Sequence, residues 1–228
     1  MIDTLIFDLD DTLYPESTFV ESGYRAVARH LSGRLGLCEE EISCAMMTTY
    51  TASGRRAVLP MVIERFPAPG VSLSELVEVY RRHDPEIRLL PGYASLLKSL
   101  KVGYHLGILT DGIPEVQMRK IRRLGLDAMV DQVVCSWDHG QQGGKPSPLG
   151  FMIVIDKLGS KASRALYIGD NPEKDGVGAH AAGMRFVQVL VPGRPAEVNC
   201  PNFKELPEFV IGSLSELPST LRRVGKHE

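Results

Sequence analysis

Asp8 and Asp10 stand two positions apart where the apolar run Leu5-Ile6-Phe7 gives way to Asp8-Leu9-Asp10-Asp11-Thr12-Leu13. Side chains alternate faces along a strand. If Leu5 to Leu9 is buried strand, both carboxylates leave its end on one side and Asp11 faces away. Two like charges this close call for a cation, a shared proton or a reacting group to relieve them. A solvated acidic turn is the plain alternative, since Asp is a common turn residue. Similar residues recur in Leu109-Thr110-Asp111-Gly112, in Gly143-Gly144-Lys145-Pro146, and in Gly169-Asp170-Asn171-Pro172-Glu173-Lys174-Asp175. Each offers acids, a hydroxyl or a lysine, often beside glycine, and their convergence weighs against the solvated turn.

These groups must be positioned by strands that end together. Tyr104 to Leu109, Val130 to Ser136, Ala165 to Ile168 and Phe186 to Val191 read as strands. Between them, Pro114 to Leu124, Pro148 to Leu158 and Glu173 to Ala182 read as helices, each stopped by a glycine. Repeated strand, helix and glycine stop is the pattern of a parallel α/β sheet, in which ligands gather at the carboxyl ends of the strands. Residues 16 to 88 differ. Ser17 to Leu35, Glu39 to Ser53 and Ser72 to His83 have helical periodicity, with Ser17 and Ser72 placed to cap and Ser72-Leu73-Ser74-Glu75 fitting a capping box. Pro192 to Pro218 is proline-rich, and a short helix is expected near Leu214 to Arg223. The predicted fold is therefore α/β: a Rossmann-like parallel sheet from residues 1–15 and 89–228, with an all-helical unit, 16–88, inserted after the first strand.

The bulk composition excludes several classes. A net charge of −2 carries no basic footprint for nucleic acid, and no segment approaches the ~20 apolar residues of a membrane span. Met1-Ile2-Asp3 carries no basic leader, so no secretory signal is expected. Cys38, Cys44, Cys135 and Cys200 are scattered without metal or disulfide spacing, the pattern of free thiols in a reducing cytoplasm.

In order and spacing, these strand ends resemble the haloacid dehalogenase-like (HAD) superfamily, in its phosphatase branch. Asp8-Leu9-Asp10-Asp11-Thr12 is similar to its first motif, Thr110 to its second, Lys145 before Pro146 to its third, and Gly169-Asp170 with Asp175 to its fourth. The helical insert resembles the family's cap. Leu109-Thr110-Asp111-Gly112 with Gln117 and Lys120 resembles members that act on nucleotide or sugar phosphates.

The resemblance implies a Mg²⁺-dependent phosphatase that forms an aspartyl-phosphate intermediate. Asp8 would be nucleophile and metal ligand, joined at the metal by Asp170 and the backbone carbonyl of Asp10. Asp10 would protonate the leaving oxygen and then activate water, its pKa raised by the negative charge nearby. Asp175 would orient a metal-bound water or ligate, unless it is only an acid at a helix start. Thr12 would position Asp10. Thr110 and the Asp111 and Gly112 amides would bind the phosphoryl oxygens, with Lys145 contacting both Asp8 and phosphate. Asp111 departs from the family's usual Asn. Tyr14, Glu16 and Arg88 stand at the ends of the insert, where substrate contact is open. The implied partner is a small phosphorylated metabolite, with no nucleic acid or membrane, bound by a cytoplasmic monomer or homodimer. A dehalogenase would not need Asp10; a phosphomutase would keep both acids; a non-catalytic phosphate-binding relative would keep the fold alone. A phospho-accepting receiver module would order these residues differently and lack the insert.

Overall fold

The 228-residue chain is described by a computed structural model over residues 1–140, 143–191 and 207–224. Cys200 and the proline-rich stretch from 192 to 206 lie outside the described residues. Two compact units are present: residues 1–15 with 88–228, and residues 16–87.

Among the described residues, the first unit is built on six parallel strands in the order β3-β2-β1-β4-β5-β6. They are β1 (Thr4–Phe7), β2 (His105–Thr110), β3 (Gln132–Cys135), β4 (Ala165–Gly169), β5 (Arg185–Val189) and β6 (Phe209–Ile211). β1 is central, pairing Phe7 with Ile108 of β2 on one side and Ile168 of β4 on the other. Every residue of β1 is buried, as expected of a parallel strand covered on both faces. Ile6 joins Leu109, Phe151, Val154, Tyr167 and Phe186 in one core layer; Leu5 and Phe7, fully buried, alternate to the other face. At about 25 cal/mol per Å² of apolar surface, such side chains each contribute on the order of 2 kcal/mol.

The flanking helices of this unit are α5 (Tyr93–Leu100), α6 (Pro114–Arg123), α7 (Pro148–Lys157), α8 (Val177–Ala181) and α9 (Leu217–Val224), numbered after the four helices of the second unit. Ser147 caps α7 by accepting from the Leu149 amide, Pro148 fits the first turn, and Gly159 follows with φ +64°. The expected helix from Glu173 to Ala182 is in fact a π-type turn, Pro172–Gly176, running into the short α8. β6 was not anticipated, because three residues at a sheet edge carry almost no alternation to read.

The second unit is helical throughout: α1 (Glu16–Leu35), α2 (Glu39–Ser53), α3 (Arg55–Arg65) and α4 (Leu73–Arg82). Val20, Tyr24, Val27, Ala28 and Leu31 form one face of α1 and meet Ile42, Met46, Val58, Val62 and Leu76 in a core of their own. Ser72 accepts the Glu75 amide at 3.1 Å and caps α4. Ser17 does not cap: α1 already begins at Glu16. α3 escaped the sequence reading because Pro60 sits inside it and its apolar residues favour no single side. No helix among the described residues is long and apolar enough to cross a membrane.

Candidate active site

Asp8 is the first residue beyond β1, and its amide donates to the Ile168 carbonyl of β4 at 2.8 Å, fixing where its side chain starts. Asp170 and Asp175 follow the end of β4. Oxygens of Asp8, Asp170 and Asp175 lie within 4.8 Å of one another. Asp175 is 1% exposed because it folds back over β4. Its Oδ2 accepts the Asn171 amide at 3.1 Å. A Cβ on Gly169 would stand 2.3 Å from that oxygen, so only glycine permits the approach.

Lys145 meets these acids from the loop before α7. Its Nζ donates to Asp8 Oδ1 at 2.7 Å, to Asp175 Oδ1 at 2.7 Å and to the Tyr167 hydroxyl at 3.2 Å. An ammonium has three protons, so this one, with 4% of its side-chain surface exposed, is fully used. Burial would lower the Lys145 pKa, yet Asp175 and Asp8 hold it well above the usual lysine value. Burial is the largest influence on Asp8 and, with Asp175 and Asp170 nearby, outweighs Lys145, leaving its pKa well above the carboxylate range. Three acidic side chains, Asp8, Asp170 and Asp175, thus gather beside the Lys145 ammonium. These are hard oxygen donors, and a divalent cation such as Mg²⁺ fits both the charge and the donor set.

Asp10 is held quite differently. Lys120 Nζ of α6 donates to both of its oxygens at 2.8 Å, Gln117 Nε2 donates to Oδ2 at 3.1 Å, and the Tyr14 hydroxyl donates to Oδ1. Burial alone would raise the Asp10 pKa, but Lys120, Tyr14 and Gln117 bring it below the ordinary value. The expected rise from nearby negative charge is therefore overturned. Thr12 also needs correction. Its hydroxyl is buried without a hydrogen-bond partner, and the positioning of Asp10 falls to Tyr14, Gln117 and Lys120. Asp11 turns the chain at φ +56°, a left-handed conformation that Asp tolerates.

Thr110, 1% exposed at the end of β2, accepts the Gln117 amide nitrogen at 2.5 Å, which leaves its own proton for an oxygen in the site. Gln117 also donates to the Asp111 carbonyl at 2.8 Å, and Gly112 has φ +132°. The Asp111 carboxylate accepts the Lys145 amide through both oxygens at 3.1 Å and the Ser136 hydroxyl at 2.5 Å. It thus ties together the chain beyond β2, the chain beyond β3 and the lysine loop. Asn171 Oδ1 accepts the Lys174 amide as a cap, and Gln188 Nε2 donates to the Asp170 carbonyl at 3.3 Å. Glu16 pairs with Arg55 at 2.7 Å within the helical unit.

Ser136 and Tyr167 are parts of the site that the sequence did not mark; Gln117 and Lys120 stood out only by resemblance and Tyr14 only as a residue at the end of the insert, none of them as a partner of Asp10. For Gln117 and Lys120 a signal existed: polar residues three apart on α6, both of which turn inward while Arg122 and Arg123 stay exposed. A cavity of about 310 Å³ opens at the opposite end of β1 and β2, lined by Asp3, Lys101, His105 and Asp131 among others. Its acids are already paired, Asp131 with Lys101 and Asp3 with Arg164.

Comparison with known proteins agrees with this geometry. A family profile described as "Haloacid dehalogenase-like hydrolase" matches residues 5–189. A glyceraldehyde 3-phosphate phosphatase of Methanopyrus kandleri is 30% identical over 99% of this chain and 100% of its own length. A HAD phosphatase from Thermococcus onnurineus is 25% identical, with TM-score 0.65 over 96% of this chain and 98% of that one. A 2-haloacid dehalogenase from Pseudomonas syringae pv. Tomato is 27% identical, with TM-score 0.67 over 98% and 99% respectively.

Proposed function

The chain belongs to the haloacid dehalogenase-like hydrolase family, and on that premise we propose that it is a phosphoric monoester hydrolase. Its substrate is a small phosphorylated metabolite, a sugar or nucleotide phosphate, and its cofactor Mg²⁺. One observation carries this reading: Lys145 bridges Asp8 and Asp175 at 2.7 Å while Asp170 completes a cluster of three acids at strand ends. The likeness to a phosphatase named for glyceraldehyde 3-phosphate supports a sugar phosphate in particular.

The nucleophile is Asp8. Lys145 occupies its Oδ1, and no hydrogen-bond donor among the described residues reaches Oδ2, which is left to attack phosphorus. The Asp8–phosphorus bond forms as the bond to the leaving oxygen breaks, and Asp10 delivers a proton to that oxygen. A water then loses a proton to Asp10 and attacks the phosphorus, which frees phosphate and restores Asp8. The donors around Asp10 favour its ionised form, so it is a strong acid once protonated and readily gives that proton up. Thr110 donates to a phosphoryl oxygen, helped by the amides of Asp111 and Gly112. Asp8, Asp170 and Asp175, with the Asp10 carbonyl, would hold the Mg²⁺. The chemistry a bound Mg²⁺ supplies is neutralisation of charge on the phosphoryl oxygens. Residues 16–87, a helical unit inserted after β1, correspond in place and make-up to the cap that the family resemblance implies.

The likeness to a dehalogenase supports the shared aspartate nucleophile, but halide displacement has no use for a cation site or for Asp10. The test is phosphate release across a panel of phosphorylated metabolites, with Mg²⁺ or with EDTA, and with Asp8→Asn as control. Undiminished turnover by Asp8→Asn would overturn the assignment. An isomerised product without phosphate release would make the protein a mutase, and binding without turnover a non-catalytic relative.

A further inference from the structure

Asp10 receives four side-chain bonds, and its principal partner lies on a helix rather than on a strand end. A lysine in the last turn of a helix ordinarily reaches into solvent near the exposed carbonyls, as Arg122 and Arg123 do here. Lys120 is instead 3% exposed. Taking an ammonium out of water is costly unless it is paired and fully bonded, and its 2.8 Å bonds to both Asp10 oxygens meet that condition. Gln117, one turn earlier on the same face of α6, is 2% exposed. Its side-chain amide reaches Asp10 Oδ2, Thr110 Oγ1 and the Asp111 carbonyl. The plane of the Asp10 carboxylate is therefore set by α6 and Tyr14.

We propose that Lys120, with Gln117, is a positioning residue that aims the Asp10 carboxylate for proton transfer to the leaving oxygen. The inference rests on the hydrolase reading above. Lys120 acts through Asp10, to which its two 2.8 Å bonds run. Its loss should therefore be felt in proportion to the leaving group's need for a proton.

The test compares kcat/KM, which reports the steps up to phosphoryl transfer, for two esters. An alkyl phosphate must have its leaving oxygen protonated, whereas 2,4-dinitrophenyl phosphate leaves as a stable phenolate. Lys120→Met is expected to lower kcat/KM for the alkyl ester by about 100-fold, the low end of what a positioned acid contributes, and to spare the dinitrophenyl ester. Lys120→Arg, which keeps a donor fork for the carboxylate, should recover part of the loss. In an Asp10→Asn background, Lys120→Met should remove little more, because both changes act on one group. Where Lys120→Met does not fold, Gln117→Met tests the same contrast with the ion pair kept. Equal losses on the two esters, or none, overturn the inference while leaving the hydrolase reading intact. A wild-type protein that releases phosphate from neither ester overturns both.

Discussion

Asp111 accepts the backbone amide of Lys145 through both of its carboxylate oxygens at 3.1 Å, although the residues lie on different loops. A second donor, the Ser136 hydroxyl, meets the same group. Both carboxylate oxygens accept here, and an amide would offer one oxygen where the Lys145 N–H now meets two. Asp111→Asn puts an NH₂ group where one oxygen stood, facing an N–H or an O–H. It should lower kcat by about tenfold by shifting the start of the Lys145 side chain, since small displacements in a preorganised site cost that much or more. Steady-state kinetics on any accepted substrate checks this; full activity would mean the contact does not set the lysine.

Gly169 lies tightly against Asp175. An added methyl would lie 2.3 Å from Asp175 Oδ2 and 2.7 Å from its Cγ. Gly169→Ala must therefore displace Asp175, at a cost of about 1–3 kcal/mol typical of overpacking. Thermal unfolding should register the lost stability. Loss of at least tenfold in kcat should accompany it, because Asp175 is bonded to the same Lys145 ammonium as Asp8. A variant with wild-type Tm would count against the close approach.

Metal loading has a readout that needs no substrate. A ligand held only by the folded state at 100 times its Kd adds about 2.7 kcal/mol, which raises Tm by about 5–10 °C in a chain of this size. Titration with Mg²⁺ should produce such a shift, EDTA should reverse it, and Asp170→Asn should abolish it. An unchanged Tm through millimolar Mg²⁺ would argue against the three acids as a cation site.

The cysteines should separate by environment. Cys38 and Cys44 are exposed, whereas Cys135 is buried at the end of β3. Burial, together with Asp138, pushes the Cys135 thiol up to about 11. A disulfide reagent at pH 8 should label Cys38 and Cys44 in the native protein and Cys135 only after denaturation, as peptide mapping would show. An unfolded chain ionises this thiol near pH ~8.5 and the native chain only near about 11. The unfolded state thus binds fewer protons between those values. The contribution of Cys135 to stability is complete below about 8.5 and is lost as pH rises through about 11. Denaturant midpoints at pH 8 and pH 10, for wild type and Cys135→Ala, measure that slope.

Much of this arrangement was readable before any coordinates. The first five strands announced themselves as apolar runs, and β1, β2 and β4 among them run into acids or glycine, since parallel strands buried on both faces have no polar alternation to blur them. Asp8, Asp170 and Asp175 were legible because acids at successive strand ends must converge. Lys145 was marked by the glycines and proline around it. What stayed hidden depends on burial, which a sequence does not print. A lysine and a glutamine on a helix look like a solvated face until Asp10 is seen beneath them. The resemblance implied that Thr12 positions Asp10, yet its hydroxyl is buried without a hydrogen-bond partner and Lys120 from another element bonds Asp10 instead. α3 was concealed by Pro60, and β6 by its brevity.

The central place of β1 also has a consequence for how the chain comes together. Its two neighbours are residues 105–110 and 165–169, so during synthesis one edge of this largely apolar strand waits until residue 110 and the other until residue 169 of 228. Contacts so distant in sequence form slowly, and an unpaired apolar strand invites association with other chains. Truncations that end before Ala165 should accumulate as aggregates, with β1 as their adhesive segment.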